Sequence, residues 1–372
     1  MKMLRLQRSS VPLNKPLPFS VYGSDGLLLL AQGQVLTSGE QLERLIERGF
    51  WVRADEVGAA APASPAEQPA GQAESTKSVM SQLRNQLKVV LFDPDSCDNV
   101  KSDICSISRT LSKLASQNAA SAMFHSLHGP PDKHSMYSVA HAMQCSIAVH
   151  LVAERMQYTP QERDSLVSAA LTMNIGMTQL QGNLATQGTP PTPEQRALIR
   201  NHPQEGVELL QRVGVDDATW LRAVLEHHET PDGKGYPGRL KTAFEPAEVL
   251  RQIDVFMAKL KSRATRTAFS PNKAVLDMFA GADASPIVAA IVKEFGLYPP
   301  GTFVRLANGE VAIVVAQGQA VNKPVAAAIV ADSGNAMPRP VRRDTANPLY
   351  SITALIDAQN VLVRVDLDKL YE

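Results

Sequence analysis

The sequence lacks three features that would narrow its function: a net charge, a long apolar run and a cysteine framework. Basic and acidic residues number 37 each, so no overall field favours a nucleic acid polymer or an anionic membrane. No apolar run approaches the roughly 20 residues of a membrane helix, and no apolar signal-peptide core opens the chain. The three cysteines form no CxxC pair. We therefore predict a cytoplasmic protein with no membrane insertion and no nucleic acid polymer as partner.

Composition divides the front of the chain into two segments. Residues 59–76 are rich in Ala, Pro, Gln and Ser, a composition that buries too little apolar surface to fold, and we predict a disordered linker. Residues 1–58 are predicted to form a small α+β domain. It would contain two strands joined by a turn at Ser24-Asp25-Gly26, then a helix that stops at Gly49.

The rest of the chain changes from a helical to a β pattern. Helical periodicity extends over 77–295, so the fold class is predicted to be mainly α, a helical bundle. Residues 296–372 are predicted to form a small β-rich domain, because "FVRLANGEVAIVV" places two β-prone runs around Asn308-Gly309. "VAAAIVAD" and "VLVRVDL" are predicted as further strands, with polar, proline-rich connections between them.

Sequence signals also predict where some helices begin and end. Thr159 and Thr192 each open a capping box with proline at the first helical position. Because proline disfavours helical backbone in the residue before it, the helix that starts after Thr192 is predicted to end at His202, before Pro203.

The segment "HHETPDGKGYPG" at 227–238 carries the strongest chemical signal. His227 and His228 end an amphipathic helix and run into a glycine-rich turn that Pro237 stiffens. Such a loop suits the presentation of an exposed Tyr236 for stacking on a base or docking a partner. A tight connection between two helices explains the same residues, and both interpretations stay open.

Three further residues could join this histidine pair. His202 lies at the predicted helix end, His141 lies in mid-helix four residues before Cys145, and Asp254 lies between two apolar residues. A buried carboxylate needs a partner, and imidazoles with a carboxylate from several helices suit a transition metal. A histidine on an amphipathic helix is more often a core residue, and that alternative stays open for His141 and His202 taken singly.

Together these residues resemble the HD-GYP family, bacterial proteins of cyclic di-GMP signalling with a helical, metal-binding HD-type core. "HHETPDGKGYP" matches the family signature HHExxDGxGYP at every fixed position. The resemblance covers about 77–293 and implies one divalent transition metal, Fe, Mn or Zn, and a loop that recognises ligand. The implied metal ligands are His202, His227 and His228, with His141 and Asp254 as weaker ones; the GYP loop comprises Asp232, Gly233, Gly235, Tyr236 and Pro237; Arg263, Arg266 and Tyr236 would contact the ligand.

The chain departs from the family at the HD motif itself. Where the family has "HDIGK", this chain has "MNIGM", with Met173, Asn174 and Met177 in place of His, Asp and Lys. In active members the aspartate bridges two metal ions, and neither an amide nor a thioether can replace such a ligand for hard or borderline ions. A dinuclear centre is therefore not expected, and Met173 is expected to fill the vacated space. Tyr137 replaces a glutamate of some members, so a third metal is not expected either.

Three functions remain open. The leading one is a catalytically impaired HD-GYP protein that binds cyclic di-GMP, a metal, or a partner such as a diguanylate cyclase (GGDEF) domain. The alternative is an active phosphodiesterase that hydrolyses cyclic di-GMP to pGpG or GMP with a residual metal site. The third is an interaction module without a ligand. The arginine pair and the GYP loop favour the first function over the third, and the altered HD motif favours it over the second.

Overall fold

The chain forms two compact units, Met1–Ala73 and Glu74–Glu372. Domain boundaries at 58, 76 and 295 stay predictions. The computed structural model describes residues 3–5, 20–22, 28–30, 51–53, 75–127, 135–242, 244–260, 285–356, 361 and 370.

The first unit contains a small antiparallel sheet. Its described strands follow the order β1-β4-β2-β3, and the pairing of β2 with β3 agrees with the predicted pair of strands. The turn at 24–26, the helix before Gly49 and residues 59–74 of the predicted linker lie outside the described residues. The strands are β1 Met3–Arg5, β2 Val21–Tyr22, β3 Leu28–Leu30 and β4 Trp51–Arg53.

The second unit begins with a helical bundle that holds the main hydrophobic core. This confirms the mainly α fold class. None of the helices in the described ranges has both the length and the apolar composition that crossing a membrane requires. The helices are α1 Thr76–Phe92, α2 Val100–Gln117, α3 Ala119–Leu127, α4 Ser135–Arg155, α5 Pro160–Thr172, α6 Thr178–Thr186, α7 Pro193–Arg212, α8 Ala218–Glu226, α9 Glu245–Lys259 and α10 Pro286–Phe295.

Helix α4 lies at the centre of the bundle. Between Ser138 and Arg155 its side chains are apolar or uncharged on nearly every face, and a helix of that composition is stable only when neighbours surround it. It contacts α1, α2, α3, α5, α6, α9 and α10. Any chemistry that α4 carries is therefore placed inside the core.

Capping boxes start α5 and α7, as predicted. In α5 the Thr159 hydroxyl accepts the Glu162 N–H at 3.3 Å, and Glu162 Oε2 accepts the Thr159 N–H at 2.9 Å. Thr192 and Gln195 repeat the arrangement in α7. Each pair satisfies two backbone N–H groups that a helix start otherwise leaves open.

The predicted end of α7 at His202 is wrong, because the helix continues through Pro203 to Arg212. Proline removes the N–H that would bond to the carbonyl of Ile199. In this helix His202 Nδ1 lies 2.6 Å from that carbonyl oxygen and donates to it. The side chain thus replaces the missing backbone donor, which offsets part of the cost of a proline inside a helix.

The second unit ends in an antiparallel sheet of the order β8-β7-β6-β5-β9. The β5–β6 hairpin and the strand at "VAAAIV" confirm two of the predicted features, and Gly309 adopts φ +88° in the hairpin turn. In the strand predicted at "VLVRVDL", only Val361 lies within the described residues, outside any strand. The strands are β5 Phe303–Leu306, β6 Val311–Ala320, β7 Lys323–Val330, β8 Ala336–Asp344 and β9 Ile352–Ile356.

The segment after β7 was predicted to be a polar, proline-rich connection, and this is wrong where it forms strands β8 and β9. Pro338 and Pro340 lie within β8, although proline cannot donate to a ladder of hydrogen bonds. Strand β8 nevertheless pairs with β7 along one side. It lies at the edge of the described sheet, a position where proline is tolerated.

Candidate metal and ligand site

Three histidines meet where the end of α8 faces the middle of α7. Nε2 of His202 lies 3.3 Å from Nε2 of His227, and the His228 ring centroid lies 4.1 Å from that of His227. One nitrogen of each ring lies within 4.8 Å of the others. His202 and His227 are fully buried and His228 is half-buried. The structure thus brings together all three residues that the sequence analysis expected to act as the main metal ligands.

Backbone carbonyls set the tautomers of two of these rings. His202 Nδ1 donates to Ile199 O and His227 Nδ1 donates to Val224 O, both at 2.6 Å. The Val224 carbonyl is open because it belongs to the last turn of α8. Since a neutral ring carries one proton, Nε2 of each histidine keeps its lone pair. Two lone pairs then face each other in the core, an unfavourable arrangement unless a cation lies between them.

Burial keeps the cluster in its neutral form. It lowers the pKa of His202 to about 4, with a smaller contribution from the charge of His228. For the same reason the pKa of His227 lies well below its ordinary value, and burial also lowers the pKa of His228, against the opposing charge of Asp254. Neutral imidazole is the form that binds metal. The donors therefore fit a divalent transition ion.

A second group of possible ligands lies between α4 and α9. His141 Nε2 lies 2.7 Å from Asp254 Oδ1, and Cys145 Sγ lies 3.6 Å from the same nitrogen. The Tyr137 ring stacks on His141 with centroids 6.0 Å apart. Burial opposes ionisation of Asp254, but the hydrogen bond and charge of His141 outweigh it and hold the pKa of Asp254 below its ordinary value. The charges of His228 and His227 act on Asp254 in the same direction.

The positions of the altered HD motif lie at the end of α5. Met173 caps this helix, is 1% exposed and belongs to the main core. This agrees with the expectation that it fills space apolarly. Asn174 and Met177 are half-buried around the short 3₁₀ turn Ile175–Met177. Met173 therefore contributes apolar packing at the end of α5.

Gly176, the glycine of "MNIGM", allows the 3₁₀ turn to pack closely against α7. A Cβ at this position would lie 2.5 Å from the His202 carbonyl oxygen and 2.8 Å from the backbone nitrogen of Gly206. Real Cβ atoms do not approach backbone this closely, so the 3₁₀ turn requires glycine in order to touch α7. The contact positions the backbone that carries His202.

A buried carboxylate folds the GYP loop against the end of α8. Glu229 is 5% exposed, and its oxygens accept the backbone N–H groups of Gly238 and, at 2.9 Å, Leu240. Gly233 adopts φ +71°. Gly235 instead allows a close approach, because a Cβ there would lie 2.5 Å from the Glu229 Cα. This anchoring role was not predicted from the sequence, although an acid directly after two core-facing histidines was its signal.

One of the two interpretations of the loop had Tyr236 exposed, and the structure does not agree with it. The residue is half-buried, and its ring stacks on His228 with centroids 4.6 Å apart. The physical reason is the anchor at Glu229, which turns the loop back over the histidines. Burial also raises the pKa of Tyr236. Tyr236 therefore covers the half-buried side of the cluster.

The remaining predicted loop residues lie on the surface. Asp232 is exposed; hydrogen bonds from the Thr230 hydroxyl and the Lys234 N–H lower its pKa to about 2. Pro237 is also exposed. These residues shape the turn and lie at its solvent side.

Two arginines were predicted to contact the ligand, and a third arginine near the site was not predicted. Arg263 and Arg266 lie outside the described residues. Arg251 lies three residues before Asp254 on α9, so the two share a helix face. Its Nε is buried without a hydrogen-bond partner in the part of the chain that the structure describes. Burial lowers the pKa of Arg251, and its charge acts on His228. The spacing to Asp254 was the available sequence signal.

Comparison with known proteins agrees with the resemblance. Residues 131–285 match the model of the HD domain family. The chain is 29% identical over 188 residues to the cyclic di-GMP phosphodiesterase PA4108 of Pseudomonas aeruginosa, covering 49% of this chain and 44% of that protein. It is 28% identical over 139 residues to the cyclic di-GMP phosphodiesterase response regulator RpfG of Xanthomonas campestris pv. campestris, covering 35% of each. The matches thus span less than half of either relative.

Among solved structures, the chain is similar to Bd1817, an HDG"Y"P protein from Bdellovibrio bacteriovorus. The TM-score is 0.49 at 18% identity, covering 78% of this chain and 99% of that one. Residues 131–285 therefore carry an HD domain, and this match, the two relatives and the "HHETPDGKGYP" segment together support the resemblance to the HD-GYP family.

Proposed function

We propose that this chain is a cyclic di-GMP signalling protein of the HD-GYP type that binds the dinucleotide at the three-histidine cluster and hydrolyses it weakly or not at all. One observation carries the proposal: one nitrogen from each of three neutral imidazoles lies within 4.8 Å of the others, whereas Met173, at the altered HD position, is packed in the core with 1% exposure. The chain would thus keep ligand-binding residues, while the resemblance implies the loss of a catalytic ligand.

A metal ion held by the neutral histidine cluster would favour a phosphate ligand. His202, His227 and His228 would hold a divalent ion, which would supply there a positive charge open to anionic oxygens. Neutral imidazoles do not compensate that charge, and an uncompensated charge in a core is costly. A phosphodiester would provide the missing negative charge. Arg251, with a buried Nε that lacks a partner among the described residues, would add a donor of the type that pairs with phosphate.

The altered motif argues against efficient hydrolysis. Two-metal hydrolysis depends on a water activated between two ions, and the resemblance assigns the bridging carboxylate to the position that Asn174 occupies. A neutral amide offers one weak oxygen donor and no charge. We therefore propose that this chain still binds the ligand but hydrolyses it weakly or not at all.

One alternative has a specific observation in its favour. Both relatives are named as cyclic di-GMP phosphodiesterases, so an active phosphodiesterase with a residual metal site is the second candidate. A diguanylate cyclase partner finds no support in these relatives or in the described contacts, and it stays a separate prediction.

Binding and turnover measured on one preparation test the proposal. The full chain is loaded with Mn²⁺, Fe²⁺ or Zn²⁺ and titrated with labelled cyclic di-GMP, and pGpG and GMP are separated by chromatography. We expect binding with little product, and we expect His227→Ala to weaken metal binding by about 100-fold or more because it removes a direct ligand. Dinucleotide binding should weaken with it.

His150→Ala is the matched control. His150 is also a buried histidine of the bundle, bonded to the Ser116 hydroxyl at 2.9 Å and outside the cluster. This variant should keep both metal and dinucleotide binding. Rapid turnover that His227→Ala abolishes would replace the proposal with the phosphodiesterase. Absence of binding in the metal-loaded protein would leave the interaction module.

A further inference from the structure

We infer that Cys145 acts with His141 and Asp254 as a second metal site, one that takes a thiophilic divalent cation of the zinc class. The three-histidine cluster does not contain these residues, and the inference does not require that the chain binds cyclic di-GMP. The sequence alone predicted one metal, because His141 and Asp254 are too few ligands by themselves. Cys145 supplies a third donor, and with it these residues are enough for a second metal site.

The fold places the sulfur where a ligand is needed. His141 and Cys145 are four residues apart on α4 and therefore lie one above the other on the same face. Helix α9 brings Asp254 to this face, and the three donor atoms lie within 4.8 Å of one another. Cys145 is fully buried and His141 nearly so. The donors are thus held in a core whose packing limits their rotation.

The distances fit a zinc-type ion after one small movement. Zn–N and Zn–S bonds of about 2.05 and 2.3 Å at a tetrahedral angle place nitrogen and sulfur about 3.6 Å apart. The separation of His141 Nε2 from Cys145 Sγ is 3.6 Å. Asp254 Oδ1 lies closer, at 2.7 Å from the same nitrogen, and would move back by about 0.7 Å to reach tetrahedral spacing. The Asp254 side chain is 17% exposed, so it is less constrained than its two partners.

Charge balance also favours this donor set. A thiolate, a carboxylate and a neutral imidazole carry two negative charges together, which neutralise a divalent ion. Buried ions are stable only when compensated in this way. The three-histidine cluster leaves its ion with the full charge and therefore needs an external anion. The two sites would differ in role: the Cys145 site holds its ion with the protein's own charges.

The sulfur sets the metal preference. Thiolate ligands select zinc-class ions over Mn²⁺ and Mg²⁺, which prefer oxygen ligands. Met173 and Asn174 remove a nitrogen and an oxygen ligand of the family from the end of α5, and Cys145 offers sulfur from α4 instead. Without a bridging carboxylate the two ions would be held separately, which agrees with the expectation that a bridged dinuclear centre does not form.

Cobalt substitution tests the site without relying on activity. The full chain is stripped of metal and reconstituted with Co²⁺, which gives a near-ultraviolet charge-transfer band when a thiolate coordinates it. We expect the band in the unaltered chain and its loss in Cys145→Ser. Zinc content should fall from about two ions per chain to about one in the same variant.

Two controls separate this site from its surroundings. Cys105→Ser alters a half-buried thiol on α2 and should keep the band. His227→Ala should lower the zinc content but also keep the band, so a failure of the three-histidine cluster is distinguishable from a failure of this site. If Cys145→Ser does not fold, Cys145→Ala, checked by circular dichroism, replaces it. A metal-loaded chain without the band, or a band that Cys145→Ser and Cys145→Ala leave unchanged, would overturn the inference.

Discussion

At the scale of single residues, backbone carbonyls orient the candidate site as much as packing does. His202 and His227 each donate Nδ1–H to a carbonyl that their own helix leaves open. Pro203 opens one of these carbonyls by removing an N–H, and the end of α8 opens the other. The two Nε2 atoms then lie 3.3 Å apart. That is about the separation of two nitrogens bound to one zinc at a tetrahedral angle.

Pro203→Ala should change stability and metal binding in opposite directions. The variant supplies an N–H for the Ile199 carbonyl, so the free energy of unfolding of the metal-free chain should rise by about 1–3 kcal/mol. His202 Nδ1 then shares its acceptor, and metal affinity should fall by about 10-fold. Urea unfolding and competition with a chelating dye measure the two effects.

Pro193→Ala is the control for this prediction, because Pro193 lies in the first turn of the same helix, where no carbonyl is opened. It should leave metal affinity unchanged. If Pro203→Ala stabilises the chain and also keeps full affinity, the carbonyl accepts both donors and the orientation argument fails.

The stability of the metal-free protein should depend on pH through His202. Its pKa is lowered to about 4 in the folded chain by burial, against about 6.5 in an unfolded one. The neutral ring therefore contributes its full stability above pH 6.5, and this is lost as the pH falls from there through 4. Each proton bound only by the unfolded chain contributes a slope of about 1.4 kcal/mol per pH unit.

Urea unfolding between pH 4.5 and 7.5, with chelator present, measures this slope. His202→Gln removes the titrating group. The slope of the free energy of unfolding against pH should therefore fall by up to about 1.4 kcal/mol per pH unit, the contribution of one proton. An unchanged slope in the variant would show that other groups, such as the buried His150, carry the effect.

The proximity of the three histidines agrees with what the resemblance implied, whereas the contacts that orient their rings were not predictable from the sequence. The spacing of "HHETPDGKGYP" placed His227, His228 and the loop correctly. The exposed pose of Tyr236 was wrong, because nothing in the spacing shows that a carboxylate will turn the loop back onto the histidines. Cys145 was visible only as a neighbour of His141. Its proximity to Asp254 needs the packing of α9 on α4.

At the scale of secondary-structure elements, the contact of the 3₁₀ turn Ile175–Met177 with α7 positions His202. Gly176→Ala would place a Cβ 2.5 Å from a backbone oxygen of α7, and backbone cannot give way as a side chain can. We expect the free energy of unfolding to fall by roughly 3 kcal/mol, the upper range for overpacking. Metal affinity should fall as well, because α7 is displaced.

Gly188→Ala is the matched control, since its Cβ would meet nothing within 4 Å. It should be neutral or slightly stabilising. Urea unfolding of the two variants gives the comparison. Equal stabilities would mean that the turn and α7 separate at little cost.

Element boundaries were predictable where a local signal decided them. Thr159 and Thr192 start their helices through bonds made within one turn, which sequence shows directly. The continuation of α7 past Pro203 depends on one side-chain hydrogen bond. The existence of β8 depends on a neighbouring strand that can pair along one side. Both are settled by partners outside the local pattern.

At the scale of the whole molecule, the two candidate sites connect helices that are far apart in sequence. The possible ligands come from α4, α7 and α9 and from the residues that follow α8. An ion bound only by the folded chain stabilises it by about 2.7 kcal/mol when its free concentration is 100 times the dissociation constant. Zn²⁺ should therefore raise the melting temperature of the chain, and chelator should reverse the rise.

The double variant His227→Ala with Cys145→Ser should lose most of this thermal shift, and each single variant about half. Differential scanning calorimetry with and without Zn²⁺ measures it. An undiminished shift in the double variant would place zinc binding elsewhere on the chain.

The mainly helical class was predictable because periodicity and the signature agree over a long stretch. The two compact units, Met1–Ala73 and Glu74–Glu372, were not, because composition marks a linker but not which segments pack together. Phe124 of α3 shares a hydrophobic cluster with Phe303 and other residues of the C-terminal sheet. No local pattern in either segment reveals that contact.

The stacking of the Tyr236 ring on His228 also affects how fast a bound metal ion can exchange. His202 and His227 are fully buried, and His228 is the half-buried member whose ring Tyr236 covers. An ion that enters or leaves by this side must wait for the loop anchored at Glu229 to swing away. The rate of metal exchange should then depend on the rate of loop opening rather than on the strength of the bonds between the ion and its ligands. We expect purified protein to retain the metal that was present while the chain folded. The identity of the bound metal should therefore depend on the metals in the growth medium more than on those in the dialysis buffer.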